Sequence, residues 1–150
     1  MNDAPHLDTI NPALTHQAIP HWIRDLFAAV DAKDIDRFMA HMSPTIGFGF
    51  DGHILAEGLE PVRRFVEDYL ANFARLEHQI EAFVAGDDPT AGPTTAVRGR
   101  VTYWTQDSRS AEVGWAVFLT HRDGKIDRYR IYLDSSAVQA LFAASPDQAG

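Results

Sequence analysis

Residues 95–133 read TAVRGRVTYWTQDSRSAEVGWAVFLTHRDGKIDRYRIYL, three runs rich in valine, threonine and aromatics, broken at Asp107-Ser108 and Asp123-Gly124. β-Branched and aromatic runs separated by such turn residues are antiparallel strands. The spacing predicts strands over Thr95–Thr105, Ala111–Thr120 and Ile126–Leu133. Side chains alternate between the two faces of a strand. Val97, Val101 and Tyr103 therefore share one face, opposite Arg98, Arg100, Thr102 and Trp104. In the next strand Val113, Trp115, Val117 and Leu119 stand opposite Glu112, Gly114, Ala116 and Phe118. The first set needs cover. Two readings follow: that face packs on a second copy while the arginine face lines a cavity, or it is the core and the arginines meet solvent.

Upstream, Leu76 to Ala85 extends the meander by one strand, and the turn-rich segment Gly86 to Pro93 reads as a loop. Before it the periodicity is helical. Trp22, Ile23, Leu26, Phe27 and Val30 form one stripe after Pro20, which suits a first helical turn. Asp34 is an N-cap candidate for a short helix carrying Ile35, Phe38, Met39 and Met42, stopped by Pro44. Ile46–Phe50 reads as a short strand closed by Asp51-Gly52, with a return through Ile54 and Leu55. A third helix carries Val62, Phe65, Val66, Tyr69, Leu70 and Phe73, and Val138, Leu141 and Phe142 suggest a last helical turn. Helices first and a long meander last means α+β. The organisation expected is a flexible arm over 1–19, one domain over 20–143 and a flexible tail over 144–150.

Bulk properties narrow the function. The chain has 150 residues, no cysteine and a formal net charge of −8. That length fits one domain. The missing cysteines exclude a disulfide framework and a thiol nucleophile. The negative charge argues against nucleic acid and against an anionic membrane surface as partners. No apolar run approaches a membrane span and no signal peptide is apparent, so a cytoplasmic location is expected. The histidines at 6, 16, 21, 41, 53, 78 and 121 show no paired metal-ligand spacing, and no glycine-rich phosphate loop or nucleophile elbow occurs. No metal and no cofactor is expected.

The helix–short helix–strand–helix–meander order, with Val101-Thr102-Tyr103 and Asp123-Gly124-Lys125-Ile126 leading into Tyr129-Arg130-Ile131-Tyr132-Leu133-Asp134, resembles the nuclear-transport-factor-2-like superfamily. Its closest flavour is that of SnoaL-like polyketide cyclases and limonene-epoxide-hydrolase-like and ketosteroid-isomerase-like proteins. The resemblance implies a cone-shaped half-open barrel, with three N-terminal helices packed on a strongly curved, mostly antiparallel sheet. It also implies a helix–sheet cavity and a homodimer through the convex face, assigned to Tyr103, Val113, Trp115 and Val117. That favours the arginine face as the cavity wall. The family's acids do not carry over: their positions fall at Ile131 and near Ala116. A polar pair of the first strand falls near Gly47 and Gly49. Arg98 matches a hydrolase arginine, but Arg100 stands where an aspartate would follow.

The candidate catalytic residues are His78, Arg98, Arg100 and Tyr129. His78 alternates with Ile80 and Ala82, which would turn it inward, and can act as a general base or simply sit at a strand end. The arginines can hold an oxyanion, or pair with Glu112, Glu81 or Asp31. Tyr129 can donate to a ligand carbonyl or fill a wet edge. Asp134 reads as the N-cap of the last helical turn. Gly47 and Gly49 make room, for a ligand or for a tryptophan from the opposite wall. The expected pocket comprises Trp22, Leu26, Phe48, Phe50, Trp104, Phe118, Ile131 and Leu133. The expected function is cofactor-independent proton transfer (isomerisation, cyclisation, dehydration or epoxide opening) on a small hydrophobic, terpenoid- or polyketide-like substrate. The alternative is a non-catalytic ligand-binding or dimerisation module of the same fold.

Overall fold

The structure, a computed structural model, describes residues 18–143. The expected arm and tail lie almost wholly outside those residues. Among the described residues are four helices and six strands: α1 His21–Asp31, α2 Ile35–Met39, β1 Met42–Phe50, β2 His53–Glu57, α3 Leu59–Leu70, β3 Arg75–Asp88, β4 Gly92–Trp104, β5 Ser110–Arg122, β6 Lys125–Leu133 and α4 Ser135–Ala143. The strands form one curved, unclosed sheet in the order β2-β1-β6-β5-β4-β3. Only β1 and β6 run parallel. This is the cone-shaped α+β architecture that the resemblance implies.

Local chemistry explains most boundaries. The Arg37 amide donates to Asp34 Oδ1 at 3.2 Å, so Asp34 caps α2 as expected. Asp134 caps α4, accepting from the Ala137 amide at 3.3 Å and the Ser136 hydroxyl at 2.6 Å. Asp51-Gly52 and Asp123-Gly124 all have positive φ, the conformation a two-residue hairpin turn demands.

Three boundaries differ from expectation. Met42 begins β1 instead of ending α2. Pro44 lies within β1, in the stretch between Met42 and Gly47 where the pairing with β6 is interrupted, so its missing N–H costs no ladder hydrogen bond there. Pro20 sits just outside α1 as its N-cap residue. The segment 86–93 is mostly strand: β3 and β4 pair out to Asp88–Gly92, and Asp88 Oδ1 closes the turn by accepting the Thr90 and Ala91 amides, each at 2.8 Å.

The facing of the sheet corrects the cavity assignment. Val97, Val101 and Val117 are 1% exposed and Leu119 is 0% exposed. Together with Tyr103, Val113 and Trp115 they form the concave face and pack under the helices. They do not form the outer face assigned to a second copy. Arg98 and Arg100 lie on the convex side, where Arg98 pairs with Glu81 at 2.6 Å and Arg100 with Glu112 at 3.3 Å. Trp104 is outside as well, under the Arg75 guanidinium at 4.2 Å, and Phe118 is exposed and packs on Tyr132. The physical reason is simple. The stripes of α1 and α3 need an apolar partner surface, and the valine–tryptophan face supplies it. Guanidinium groups keep water and carboxylates on the other side.

Candidate functional site

Between the helices and the concave sheet lies a cavity of about 40 Å³. That is room for a few waters, well below the roughly 300–1,000 Å³ of a typical ligand pocket. Its wall is largely aromatic. Phe48 stacks on Tyr129 with centroids 4.9 Å apart, Phe38 meets Tyr129 edge-on at 5.5 Å, and Phe27 packs on Trp115 at 4.8 Å. Of the expected pocket, Phe48, Phe50, Ile131 and Leu133 line the cavity. Leu26 is fully buried in the core instead, and Trp22, Trp104 and Phe118 lie elsewhere.

The polar groups on this wall are few. His78, on β3, reaches it because alternation with buried Leu76 turns it inward. Its Nδ1 lies 2.6 Å from Asp31 Oδ1, and its backbone N–H donates to Asp31 Oδ2 at 2.9 Å. Asp31 is the last residue of α1, four positions after Phe27 and so on the same inward stripe. With Nδ1–H donated to the carboxylate, Nε2 is left with its lone pair, the tautomer a general base needs. Nε2 has no partner among the described residues.

Tyr69 and Tyr103 share a hydroxyl–hydroxyl hydrogen bond of 3.1 Å across the cavity wall. Burial raises both phenol pKa values, so both hydroxyls stay protonated at neutral pH. Burial does the same to Tyr129. No lysine or arginine lines the cavity. Ile131, at a family acid position, contributes only apolar wall. Ala116 points to the convex side, and its inward neighbours Trp115 and Val117 carry no acid either.

Of the four candidate catalytic residues, His78 and Tyr129 come together here, and Arg98 and Arg100 do not. Asp31, Tyr69, Tyr103 and Trp115 join them. Gly47 and Gly49 make room for neither ligand nor tryptophan. A Cβ on Gly47 would meet the Arg128 guanidinium at 2.8 Å, and one on Gly49 would lie 1.7 Å from the His53 carbonyl oxygen at a bulge.

Other clefts lie outside this cavity. One of about 260 Å³ is lined by Phe50, Phe65, Tyr69, Leu133, Ser135, Val138 and Gln139, and shares Phe50, Tyr69 and Leu133 with the cavity. A polar one of about 330 Å³ contains Trp22, His41, Thr95, His121 and Lys125. There Thr95 Oγ1 meets His121 Nε2 at 2.9 Å, and burial lowers the His121 pKa. Among the described residues there is no group of three metal-ligating side chains, and no helix is long and apolar enough to cross a membrane.

Comparison with known proteins adds the lineage. A family model described as a SnoaL-like domain matches residues 23–129. No curated protein matches the chain. Among solved structures, a putative SnoaL-like polyketide cyclase from Jannaschia sp. CCS1 superposes with a TM-score of 0.71 at 23% identity, covering 83% of this chain and 90% of that one. TerC, co-crystallised with polyporic acid, gives 0.68 at 17% identity, covering 81% and 95%. A putative isomerase from Bacillus subtilis gives 0.64 at 17% identity, covering 82% and 91%. At these identities the likeness is one of fold.

Proposed function

Because the chain belongs to the SnoaL-like domain family, whose fold carries many chemistries on one cavity, we propose from the cavity's own residues that it is a cofactor-independent proton-transfer enzyme acting on a small hydrophobic substrate. The observation that carries this reading is the Asp31–His78 pair at 2.6 Å, which sets His78 on a cavity wall otherwise made of aromatic and aliphatic side chains. A carboxylate that fixes a histidine's tautomer and stabilises its protonated form is the arrangement of a general base. His78 takes a proton from the substrate through Nε2, Asp31 stabilises the imidazolium, and the same proton is returned at another atom. This supports isomerisation, cyclisation or dehydration. Epoxide opening is less well supported, since among the described residues no carboxylic acid lines the wall to protonate the ring oxygen.

The neighbours' names, a polyketide cyclase and an isomerase, agree with that class. The narrow cavity favours a second reading, a non-catalytic module with a self-filled core. The discriminating experiment follows hydrogen–deuterium exchange at the carbon next to the carbonyl of small cyclic ketones in D2O. Exchange above background that disappears in His78→Ala supports the enzyme. Exchange no faster than buffer across the panel moves the assignment to the module.

For assembly we infer a homodimer on the convex sheet face, built on different residues from those first assigned. Val84 is 63% exposed, Phe118 42% and Tyr132 38%, with Ala82, Ala96 and Ala116 beside them. Arg98–Glu81 and Arg100–Glu112 frame this strip, so a two-fold axis would set apolar on apolar and mixed charge on mixed charge. Sedimentation of the wild type as a dimer, and of Phe118→Glu as a monomer, is expected. A monomeric wild type at high concentration rejects it.

A further inference from the structure

The polar cleft lies at the other end of the fold from His78. α1 starts at this cleft, with Trp22 in its first turn, and ends at Asp31 beside the inner cavity. The two spaces share no lining residue. At about 330 Å³ the cleft falls within the roughly 300–1,000 Å³ of ligand pockets, whereas the inner cavity does not. Its lining carries an ammonium, two imidazoles, a hydroxyl and an indole ring, and no carboxylate among the described residues. In a chain of net charge −8 that is a local reversal of sign.

Two groups of this lining keep polar hydrogens without a partner. Thr95 Oγ1 and His121 Nε2 share a hydrogen bond of 2.9 Å. Burial lowers the His121 pKa, so at neutral pH the ring is neutral and carries one N–H. The pair then owns two polar hydrogens, the hydroxyl's and the ring's, and its own bond uses one. With the hydroxyl donating, Nδ1–H is left over; with the ring donating, the hydroxyl hydrogen is left over. Neither has an acceptor among the described residues. Lys125 Nζ donates to the Ala40 carbonyl at 2.7 Å, which fixes the ammonium at the cleft and uses one of its three hydrogens. Asp25, behind His41, does not oppose an anion, because its oxygens are taken by His41 Nε2 at 2.8 Å and Arg37 Nε at 2.7 Å. Asp123, in the adjoining turn, is exposed and outside the lining, where water screens it.

The rest of the wall is apolar. The Trp22 ring stands edge-to-face on His121, centroids 5.4 Å apart at 83°, and buried Ile126 lies beside them. A cationic guest would meet the Lys125 ammonium and no free carboxylate. A hydrocarbon would cover the spare hydrogen of the Thr95–His121 pair without accepting it, which is costly. The complement is a negatively charged acceptor on a flat apolar body. We propose that this cleft is a second binding site, for small aromatic carboxylates, in which Lys125 and the Thr95–His121 pair hold the carboxylate and Trp22 packs on the ring. The site stands apart from the reading of His78 as a base, since no group of the inner cavity takes part in it.

Benzoate is the probe, and benzamide is its neutral counterpart of the same shape. The 15N-labelled full chain is titrated with each near neutral pH. The readout is the indole N–H of Trp22 and the ring resonances of His121, assigned through Trp22→Phe and His121→Phe. Benzoate is expected to shift both sets to saturation while the Trp115 and His78 resonances stay in place. Benzamide is expected to bind at least about 10-fold more weakly. Lys125→Met, at an exposed position, is expected to weaken benzoate by roughly 5- to 50-fold, the range of a charge-assisted hydrogen bond at a partly open site. His121→Phe should weaken it by roughly 2- to 13-fold, the equivalent of one neutral hydrogen bond. Circular dichroism checks that both variants fold. Four results overturn the proposal: no saturable shift, equal affinity for benzamide, unchanged benzoate affinity in folded Lys125→Met, or shifts centred on Trp115 and His78.

Discussion

Asp31 holds His78 by two atoms at once, the ring Nδ1 at 2.6 Å and the backbone N–H at 2.9 Å. One carboxylate thus fixes the strand, the ring and the tautomer together, across the gap between the end of α1 and the start of β3. Removing it should cost more than a charge. Asp31→Asn is expected to lower the rate of proton exchange and His78→Ala to lower it further, by about 10²–10⁴-fold. Each is measured on the ketone panel with folding checked by circular dichroism. Rates unchanged in both variants would remove the pair from the mechanism.

Arg98→Ala and Arg100→Ala are expected to leave turnover intact and to change stability by no more than about 1 kcal/mol each, the range of exposed ion pairs. Urea denaturation and the exchange assay read both quantities. A large loss of activity in either variant would bring the arginines back to the site.

The Tyr69–Tyr103 hydrogen bond should behave as a coupled pair. Tyr69→Phe or Tyr103→Phe alone leaves a buried hydroxyl unpartnered and is expected to cost about 1–3 kcal/mol. The double variant should cost less than the sum of the two, because neither hydroxyl remains to be orphaned. A double-mutant cycle of chemical denaturation gives the coupling, and strict additivity would contradict the bond.

Gly99 and Gly49 each stand where backbone crosses close. A Cβ at Gly99 would lie 1.8 Å from the Gln79 carbonyl oxygen, beside the irregularity between Ile80 and Ala82. Gly99→Ala is expected to destabilise by about 3 kcal/mol or more, whereas Gly86→Ala, which meets nothing within 4 Å, should be close to neutral. Thermal unfolding of the two variants makes the comparison.

Asp127 gives a pH signature. Burial raises its pKa, but the Ser43 hydroxyl at 2.6 Å, that of Thr45 at 2.5 Å, and Arg122 and Arg128 outweigh it and hold the value below the ordinary 3.8. A depressed carboxylate stabilises the fold above its unfolded pKa, and that stabilisation is lost as pH falls through the folded value. Asp127→Asn should therefore be less stable than wild type at pH 6–7, by about 1.5–3 kcal/mol, with the gap closing below about pH 4. A gap constant down to pH 2 would assign the effect to packing.

What the chain reveals unaided is uneven, and the reasons are physical. Turn chemistry placed Asp51-Gly52, Asp123-Gly124 and both aspartate caps because those interactions are local. His78 was legible through its alternation with Ile80, although Ala82, next in that alternation, turns to the convex side past the irregularity in β3. Asp31 was read only as one possible partner of the arginines; its partner is His78, 47 positions away, and no local rule pairs them. The sheet's parity was the costly ambiguity. Alternation separates Trp115 from Phe118 and Val101 from Arg100 cleanly, but which set turns inward depends on which the helices cover. Expecting the ionic residues to do the polar work put the arginines in the cavity. The polar groups on the cavity wall are instead a histidine, three phenols and an indole set among the valines.

Phe50, Tyr69 and Leu133 belong both to the inner cavity and to the cleft beside α4. They are a partition made of side chains, with no loop or hinge in it. Passage between the two spaces then depends on rotamer exchange of two aromatic rings and a leucine, motions that packing slows but need no backbone change. A guest would enter and leave at rates set by how tightly those rings are packed. Trimming the partition with Leu133→Ala should speed both steps and let in longer molecules, while the chemistry behind it stays the same.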